Sequence, residues 1–246
     1  MSEYVLNPAA KVEKVKHQDP EISVYIVDDF LNNPEQLVEY ARSKAYFGNV
    51  GDDRTAYPGI RDRLPRPYER LKGEVIERVY GVSNPLIHRS MLSLTTLEPQ
   101  QLSASQKIPH VDAFDDDQYG AVHYLCGAPH GGTAIYRYLP RNKVKLRSRD
   151  RYIVAEMVQQ AQDDPEQHAG YLAGDTKYYK QELAVEAKFN RLVLYPANLL
   201  HCALLTSPAR LEKDVTMGRL TVASFFQLDP ELRRGENEYS DAAGVT

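Results

Sequence analysis

The sequence predicts a mainly β fold with flanking helices. From residue 86 onward, short runs rich in Val, Tyr, Thr, Leu and Phe alternate with turn residues, a pattern typical of sandwiches and barrels. Before residue 86, apolar residues recur at helical spacing instead. We therefore expect one domain over residues 1–246, with an N-terminal strand and helices (22–85), a β core (86–228) and a segment inserted into that core (141–170).

The N-terminal part is predicted to contain one strand and two helices, at residues 22–28, 33–45 and 67–80. The first helix has a recognisable start, because Asn33 can cap it, Pro34 suits the first helical position and Gln36 occupies the capping-box position. Between the two helices, residues 51–67 are rich in Pro, Gly and Arg and are predicted to form a loop.

The β core is predicted from five runs, at residues 91–98, 121–127, 132–139, 191–197 and 219–228. Between the third and fourth runs, residues 148–165 are predicted to be helical, because Ile153, Met157 and Ala161 recur at helical spacing. This inserted helix suits either a cover that meets a substrate or a simple packing helix. The pattern favours neither alternative.

Length and composition indicate an ordinary globular protein. Of the 246 residues, 42% are apolar and 26% are charged, which excludes a disordered chain. A cytoplasmic protein is expected, because there is no membrane-length apolar run, no secretory signal, and no disulfide framework from Cys126 and Cys202 alone. The net charge of −4 disfavours nucleic-acid binding, although the basic run at residues 137–151 leaves a local patch open.

The triplet His110-Val111-Asp112 and the distant His201 predict a metal site. In an extended segment, residues i and i+2 project to the same side, so His110 and Asp112 can bind one ion together. Two imidazoles and one carboxylate leave one face of an octahedral ion open, as in non-haem Fe(II) oxygenases. The structural alternatives are a surface histidine beside an acidic loop for His110 and a packed core histidine for His201.

Five motifs follow one another along the chain: HVD at residues 110–112, VHYLC around Tyr124, GGTA from Gly131, RLVLYPANLLH ending at His201, and GRLTVASFF containing Arg219. In this order they resemble the Fe(II)/2-oxoglutarate-dependent dioxygenases, in particular the prolyl 4-hydroxylase-like branch. The earlier segment VYIVDDFLNNPEQLVEYA is similar to the opening strand and helix of that family. The resemblance covers residues 22–228 and implies a double-stranded β-helix, a jelly-roll and cupin-like fold.

The resemblance also implies roles for individual residues. Fe(II) would be bound by His110, Asp112 and His201. The distal carboxylate of 2-oxoglutarate would be bound by Arg219 and Tyr124, and a guanidinium suits this role because its planar fork of donors matches a carboxylate. Arg219 lies further beyond His201 than the basic residue of the family usually does, whereas Arg210 lies at the usual separation in a loop-like context. We favour Arg219 because it begins a strand.

The implied activity is that of an oxidoreductase, a dioxygenase that consumes O2 and 2-oxoglutarate and hydroxylates a substrate. Two alternatives stay open: a non-oxygenase, cupin-like metal-binding protein, and a catalytically silent interaction module on the same scaffold. Arg219 and Tyr124 discriminate between them, because only an oxoglutarate enzyme needs both residues at one carboxylate. The sequence identifies neither the oligomeric state nor the substrate, for which a protein, a peptide, a metabolite and a nucleic acid all remain open.

Overall fold

A computed structural model describes residues 4–64, 66–205 and 211–229. This part of the chain forms ten strands: β1 (Lys11–Lys14), β2 (Tyr25–Asp28), β3 (Gly59–Arg63), β4 (Leu86–Thr95), β5 (Gln118–Tyr124), β6 (Gly132–Tyr138), β7 (Tyr179–Glu186), β8 (Arg191–Pro196), β9 (His201–Leu204) and β10 (Arg219–Gln227). It also forms three α-helices: α1 (Glu35–Ser43), α2 (Arg66–Tyr80) and α3 (Arg151–Asp163). None of these helices combines the length and the apolar surface that a membrane span requires.

The strands form two antiparallel sheets. The larger sheet has the order β1-β2-β8-β5-β10-β4-β3, and the smaller sheet has the order β7-β6-β9. From β4 onward the chain passes repeatedly from one sheet to the other, and the segment at His110, between β4 and β5, pairs with His201 of the smaller sheet. This strand order is that of a double-stranded β-helix, a jelly-roll fold. The predicted fold class is therefore confirmed.

The larger sheet buries one face under the two N-terminal helices. Along β10, Leu220 and Val222 point to that face, because alternate residues of a strand project to opposite sides. They belong to one hydrophobic core with Leu37 of α1 and Val75 of α2. The residue between them, Thr221, lines a cavity between the two sheets instead. The sheet thus separates the main core from the cavity.

Helix α3, in the inserted segment, packs against side chains of the smaller sheet. Its residues Ile153 and Met157 lie in one hydrophobic cluster with Tyr136 of β6. Val154 and Val158, their neighbours along the helix, line the cavity. The predicted helix is confirmed, and the structure shows a packing helix that also contributes to the cavity wall.

Four strands, β1, β3, β7 and β9, lie outside the predicted runs. The loop predicted over residues 51–67 is wrong at Gly59–Arg63, because these residues form β3 and pair with β4. This strand is short, lies at the sheet edge and contains two arginines, so its composition does not predict a strand. All residues of β1 are exposed, so the strand lacks the alternation of apolar and polar residues from which a strand is predicted.

The basic run at residues 137–151 is largely neutralised by acidic residues of the same chain. Arg137 pairs with Asp19 and Glu182, Arg141 with Glu156, Lys143 with Asp150, and Arg147 with Glu21 and Asp116. Of these contacts, those of Arg147 connect the inserted segment to the rest of the fold. The ion pairs give most of the basic run a structural role. From the sequence alone, the same run could equally bind an acidic partner.

A buried polar network joins the N-terminal segment to the larger sheet. The side chain of Asn190 accepts a hydrogen bond from the Leu31 N–H at 3.0 Å and donates one to the Leu31 carbonyl at 2.8 Å. His123 Nε2 donates to the same amide oxygen at 3.3 Å, and the Tyr68 hydroxyl donates to His123 Nδ1 at 2.9 Å. Burial lowers the pKa of His123 to about 3, so its ring is neutral. His123 points away from its neighbour Tyr124 and has a structural role.

We predict that Asn190→Ala destabilises the fold by about 3 kcal/mol, because it leaves the buried Leu31 and His123 groups without partners. Asn142→Ala is the matched control. Both asparagines have a positive φ, 66° and 49°, but Asn142 is exposed, and among the described residues its side chain hydrogen-bonds only Arg137, at 3.4 Å. Asn142→Ala is expected to lower the free energy of unfolding by about 1 kcal/mol, because alanine is strained in the left-handed conformation. Urea denaturation measures both values, and equal losses would contradict the role of the network.

Candidate active site

The three predicted metal ligands are brought together by backbone pairing. The His110 N–H donates to the His201 carbonyl and the His201 N–H donates to the His110 carbonyl, both at 2.9 Å. Two residues further on, the Asp112 N–H donates to the Ala197 carbonyl at 2.8 Å. The extended segment is thereby fixed beside β9, with His110 and Asp112 on the same side, as their i, i+2 spacing predicts.

The side chains of this triad converge within the distance that one ion can bridge. One ligand atom from each of His110, Asp112 and His201 lies within 4.8 Å of the others. His110 Nε2 is 3.6 Å from Asp112 Oδ1, and His201 Nε2 is 3.4 Å from Asp112 Oδ2. His201 Nδ1 donates to the Leu199 carbonyl at 2.8 Å, which selects the tautomer whose Nε2 is free to bind a metal.

The electrostatics of the triad favour a cation. Burial would raise the pKa of the Asp112 carboxyl, but His201 and His110 outweigh burial and hold that pKa far below its usual value. The carboxylate in turn raises the pKa of His201, despite the opposing effect of burial. The exposed fractions of the side chains are 54% for His110, 13% for Asp112 and 5% for His201, so one side of the cluster is accessible.

Gly120 on β5 is required for this geometry, and sequence reasoning missed it. A Cβ at this position would lie 2.9 Å from Asp112 Oδ2 and 2.8 Å from Cε2 of Tyr195. The Tyr195 ring in turn packs against the His201 ring, with centroids 4.5 Å apart. Only glycine leaves room for both neighbours. A single glycine within a strand often marks a place where another group approaches the backbone closely, and this signal could have identified Gly120 from the sequence.

The triad opens into a cavity of about 640 Å³. Its walls come from both sheets, from the segment around β3 and from α3. Three arginines line it, Arg61, Arg89 and Arg219, and Asp112 is the only acidic side chain among the described lining residues. A cavity with this imbalance of charge is suited to anionic ligands.

Arg219 lies in the cavity wall at the start of β10, as the sequence predicts. Its side chain is buried, and the residue is only 3% exposed. Nη2 donates to the Gly132 carbonyl at 2.9 Å, whereas Nε has no hydrogen-bond partner among the described residues. In that part of the chain no carboxylate pairs with this guanidinium, although a buried charge normally needs a counter-charge.

Tyr124 lies beside Arg219, and the guanidinium carbon is 5.7 Å from the centroid of the Tyr124 ring. The Tyr124 hydroxyl hydrogen-bonds the Thr133 hydroxyl at 2.5 Å, and Thr133 lines the cavity. The structure therefore brings Tyr124 and Arg219 together and adds Thr133, which sequence reasoning missed. Arg210, the alternative basic residue, lies outside the described residues.

The glycine pair of the GGTA motif is needed for backbone packing at this end of the cavity. Gly131 has a φ of 88°, and a Cβ there would lie 1.8 Å from the Leu204 carbonyl oxygen of β9. The two glycines let β6 begin close to β7 and β9, which places the Gly132 carbonyl under Arg219. The motif thus has a geometric function in the site.

A family model, described as a family of unknown function (DUF6445), matches residues 8–226. The chain belongs to this family. No curated protein matches the sequence of this DUF6445 member.

Several solved structures are similar to this DUF6445 protein. HygX from Streptomyces hygroscopicus, with nickel and 2-oxoglutarate bound, is 11% identical over 92% of this chain and 91% of its own, with a TM-score of 0.49. An N-substituted L-amino acid dioxygenase from Burkholderia ambifaria is 10% identical over 83% and 82%, with a TM-score of 0.39. EctD from S. alaskensis, with 2-oxoglutarate and 5-hydroxyectoine, is 13% identical over 93% and 87%, with a TM-score of 0.35. Likenesses at this level carry no conclusion about the chemistry of the DUF6445 protein.

We predict that Gly120→Ala weakens the binding of a divalent metal by about tenfold to a hundredfold, the range for changes in groups that orient metal ligands. The added methyl group displaces Asp112 and Tyr195. Gly73→Ala in α2 is the matched control, because a Cβ there would meet nothing within 4 Å. Calorimetric titration with Zn(II) measures the affinity, and equal affinities of the two variants would contradict the role of Gly120.

Proposed function

We propose that this protein is an Fe(II)/2-oxoglutarate-dependent oxygenase, an oxidoreductase that hydroxylates its substrate. The observation that carries the proposal is the presence, in one cavity, of a His-Asp-His cluster with an open side and a buried arginine that lacks an acidic partner among the described residues. The first feature suits a metal and the second suits an anion. An oxygenase of this class needs both, because the metal and Arg219 would hold opposite ends of 2-oxoglutarate.

His110, Asp112 and His201 would hold the iron. The donor set fits Fe(II), because two imidazoles and one carboxylate provide three ligands and leave the remaining positions free for the cosubstrate and O2. Bound iron would supply the oxidative chemistry, in which O2 and 2-oxoglutarate are consumed. The protein contributes orientation: Leu199 fixes the ring of His201 through its carbonyl, and Gly120 leaves room for the carboxylate of Asp112.

Arg219 would bind the distal carboxylate of 2-oxoglutarate, with Tyr124 and Thr133 beside it. Its unpartnered Nε supports this role, because a guanidinium cannot lose its proton and its buried charge remains uncompensated without an anion. The hydroxyls of Tyr124 and Thr133 hydrogen-bond each other at 2.5 Å, which leaves one of their two protons free to donate to the carboxylate. A cupin-like metal binder or a silent interaction module has no use for this arrangement, so it favours the oxygenase over both alternatives.

The cavity walls would exclude water and position the substrate. Ile108, Leu172 and Leu200 line the cavity together with Val154 and Val158 of α3. An apolar wall near the metal keeps bulk water from the reacting groups and binds the apolar part of a substrate. The resemblance of the motifs to the prolyl 4-hydroxylase-like branch supports hydroxylation as the reaction.

We predict that Asp112→Ala lowers Fe(II) affinity by at least about a hundredfold, beyond the effect of changes outside the ligand set. The fold is expected to persist, because the backbone pairing of residue 112 with Ala197 does not involve its side chain. Asp115→Ala removes an exposed carboxylate three positions away and serves as the control. Anaerobic Fe(II) titration gives both affinities, and an unchanged iron stoichiometry in Asp112→Ala would exclude this metal site.

We predict that Arg219→Ala raises the 2-oxoglutarate Kd about thirtyfold or more while Fe(II) binding changes little. The loss of a buried, charge-assisted contact costs roughly 2–5 kcal/mol, which corresponds to at least that factor. The measurement is an anaerobic titration that follows the visible charge-transfer band of iron-bound 2-oxoglutarate. If Arg210→Ala shows the defect and Arg219→Ala does not, the basic residue is assigned to the wrong position.

A further inference from the structure

A second arginine in the cavity, Arg61, is outside every motif of the proposed oxygenase site. It lies on β3, it lines the cavity, and its side chain is nine-tenths buried. Its Nη1 donates to Asp53 Oδ2 and to Thr55 Oγ1, each at 3.3 Å. The guanidinium stacks on the Tyr57 ring, 4.0 Å from the centroid. These contacts hold the group in one orientation.

The remaining edge of this guanidinium lacks partners. Among the described residues, Nε has no hydrogen-bond partner, and the hydrogen bonds of Arg61 all start from Nη1. The Nε–Nη2 edge is one of the two edges through which an arginine can bind a carboxylate with two parallel hydrogen bonds. A buried donor edge without a partner is costly unless a ligand occupies it. Arg61 is therefore built to receive an acceptor from the cavity.

Arg61 is a different site from that of Arg219. Tyr57 is the contact of Arg61 on this side: Arg61 stacks on its ring, and the Tyr57 hydroxyl bonds Thr95, the residue paired with Arg219 in the sheet. Arg61, His110 and Asp112 line the same cavity. A group bound by Arg61 would therefore share this cavity with the triad.

We propose that Arg61 binds the carboxylate of the substrate, and that the substrate is a small monocarboxylic acid with an apolar body. The proposal rests on the oxygenase function and adds the substrate class.

Charge selects a monoanion for this site. Burial would raise the pKa of Asp53, but hydrogen bonds from Thr55 and from Arg61 lower it, so Asp53 is a carboxylate. This carboxylate compensates part of the charge of Arg61 and disfavours a phosphate dianion. Arg89, which also lines the cavity and lies 4.9 Å from the centroid of the Phe225 ring, adds one positive charge that attracts an acid. The aliphatic wall from Ile108, Val154 and Leu172 suits the apolar body.

The test compares acids with their neutral amides. Phenylpropanoate, hexanoate and octanoate, each beside its primary amide, are titrated into protein loaded with Zn(II) and 2-oxoglutarate, and binding is followed by saturation-transfer NMR. At least one acid is expected to bind about tenfold or more tightly than its amide, the size of a charge-assisted hydrogen-bond pair. Arg61→Gln is expected to remove this preference, and Arg61→Lys to restore part of it, because lysine keeps the charge but lacks the planar fork.

Controls separate this site from the cosubstrate site. Arg70→Gln changes an arginine whose side chain is 86% exposed, and it should retain the preference. The 2-oxoglutarate Kd of Arg61→Gln should stay within about threefold of the wild-type value, well below one charge-assisted contact. A large loss of 2-oxoglutarate affinity in Arg61→Gln would mean that Arg61 binds the cosubstrate, and it would overturn the proposal.

The remaining outcomes are also decisive. Equal binding of acids and amides, absence of binding by every acid, or tighter binding of phenyl phosphate than of phenylpropanoate would each overturn the proposal. If wild-type protein with Fe(II) does not bind 2-oxoglutarate at all, the oxygenase function fails. The acid–amide comparison with Zn(II) alone then still decides whether Arg61 binds carboxylates.

Discussion

The candidate site depends on one short piece of antiparallel pairing, between the segment at residues 110–112 and the chain from Ala197 to His201. Three backbone hydrogen bonds of 2.8–2.9 Å fix this pairing. They place two candidate ligands from one segment opposite the third, so the positions of the triad are set by sheet geometry and not by flexible loops. This is the arrangement that preorganises a metal site, because the ligands lose little freedom when the ion binds. The other features of the site, including Gly120 and the carbonyl of Leu199, act on side chains that this pairing has already placed.

The second constraint is the burial of positive charge. Lys72, under the opposite face of the larger sheet, is also buried, and burial lowers its pKa to about 7, so this amine can lose its proton near neutral pH. It hydrogen-bonds Ser90 and lies over the Tyr68 ring. Guanidinium groups cannot lose their charge in this way, because their pKa lies too high for deprotonation in a protein. Arg61 and Arg219 therefore remain cations in a cavity with one acidic side chain among its described residues, and the proposed anionic ligands would complete the charge balance.

Much of the site is predictable from sequence where local spacing determines geometry. His110 and Asp112 share a face because they are two residues apart in an extended segment, and Arg219 is buried because it begins an apolar strand. Contacts between distant segments are not predictable in this way. The approach of Gly120 to Asp112 depends on the separation of two segments, and the place of Arg61 depends on an edge strand whose charged composition indicates a loop. The conformation of β3 is determined by its pairing with β4, and no local sequence pattern predicts that pairing.

Helix α3 combines packing with a contribution to the cavity wall. Successive residues of an α-helix point about 100° apart, so Ile153 and Met157 can enter the core while Val154 and Val158 face the cavity. The core residues anchor the helix, which makes the cavity wall a fixed surface and not a free cover. A change in the size of the two valines would reshape the cavity without altering the anchoring residues. Under the proposed function, substrate size would therefore be set at this wall, while the triad and both arginines, which lie on other elements, keep their positions.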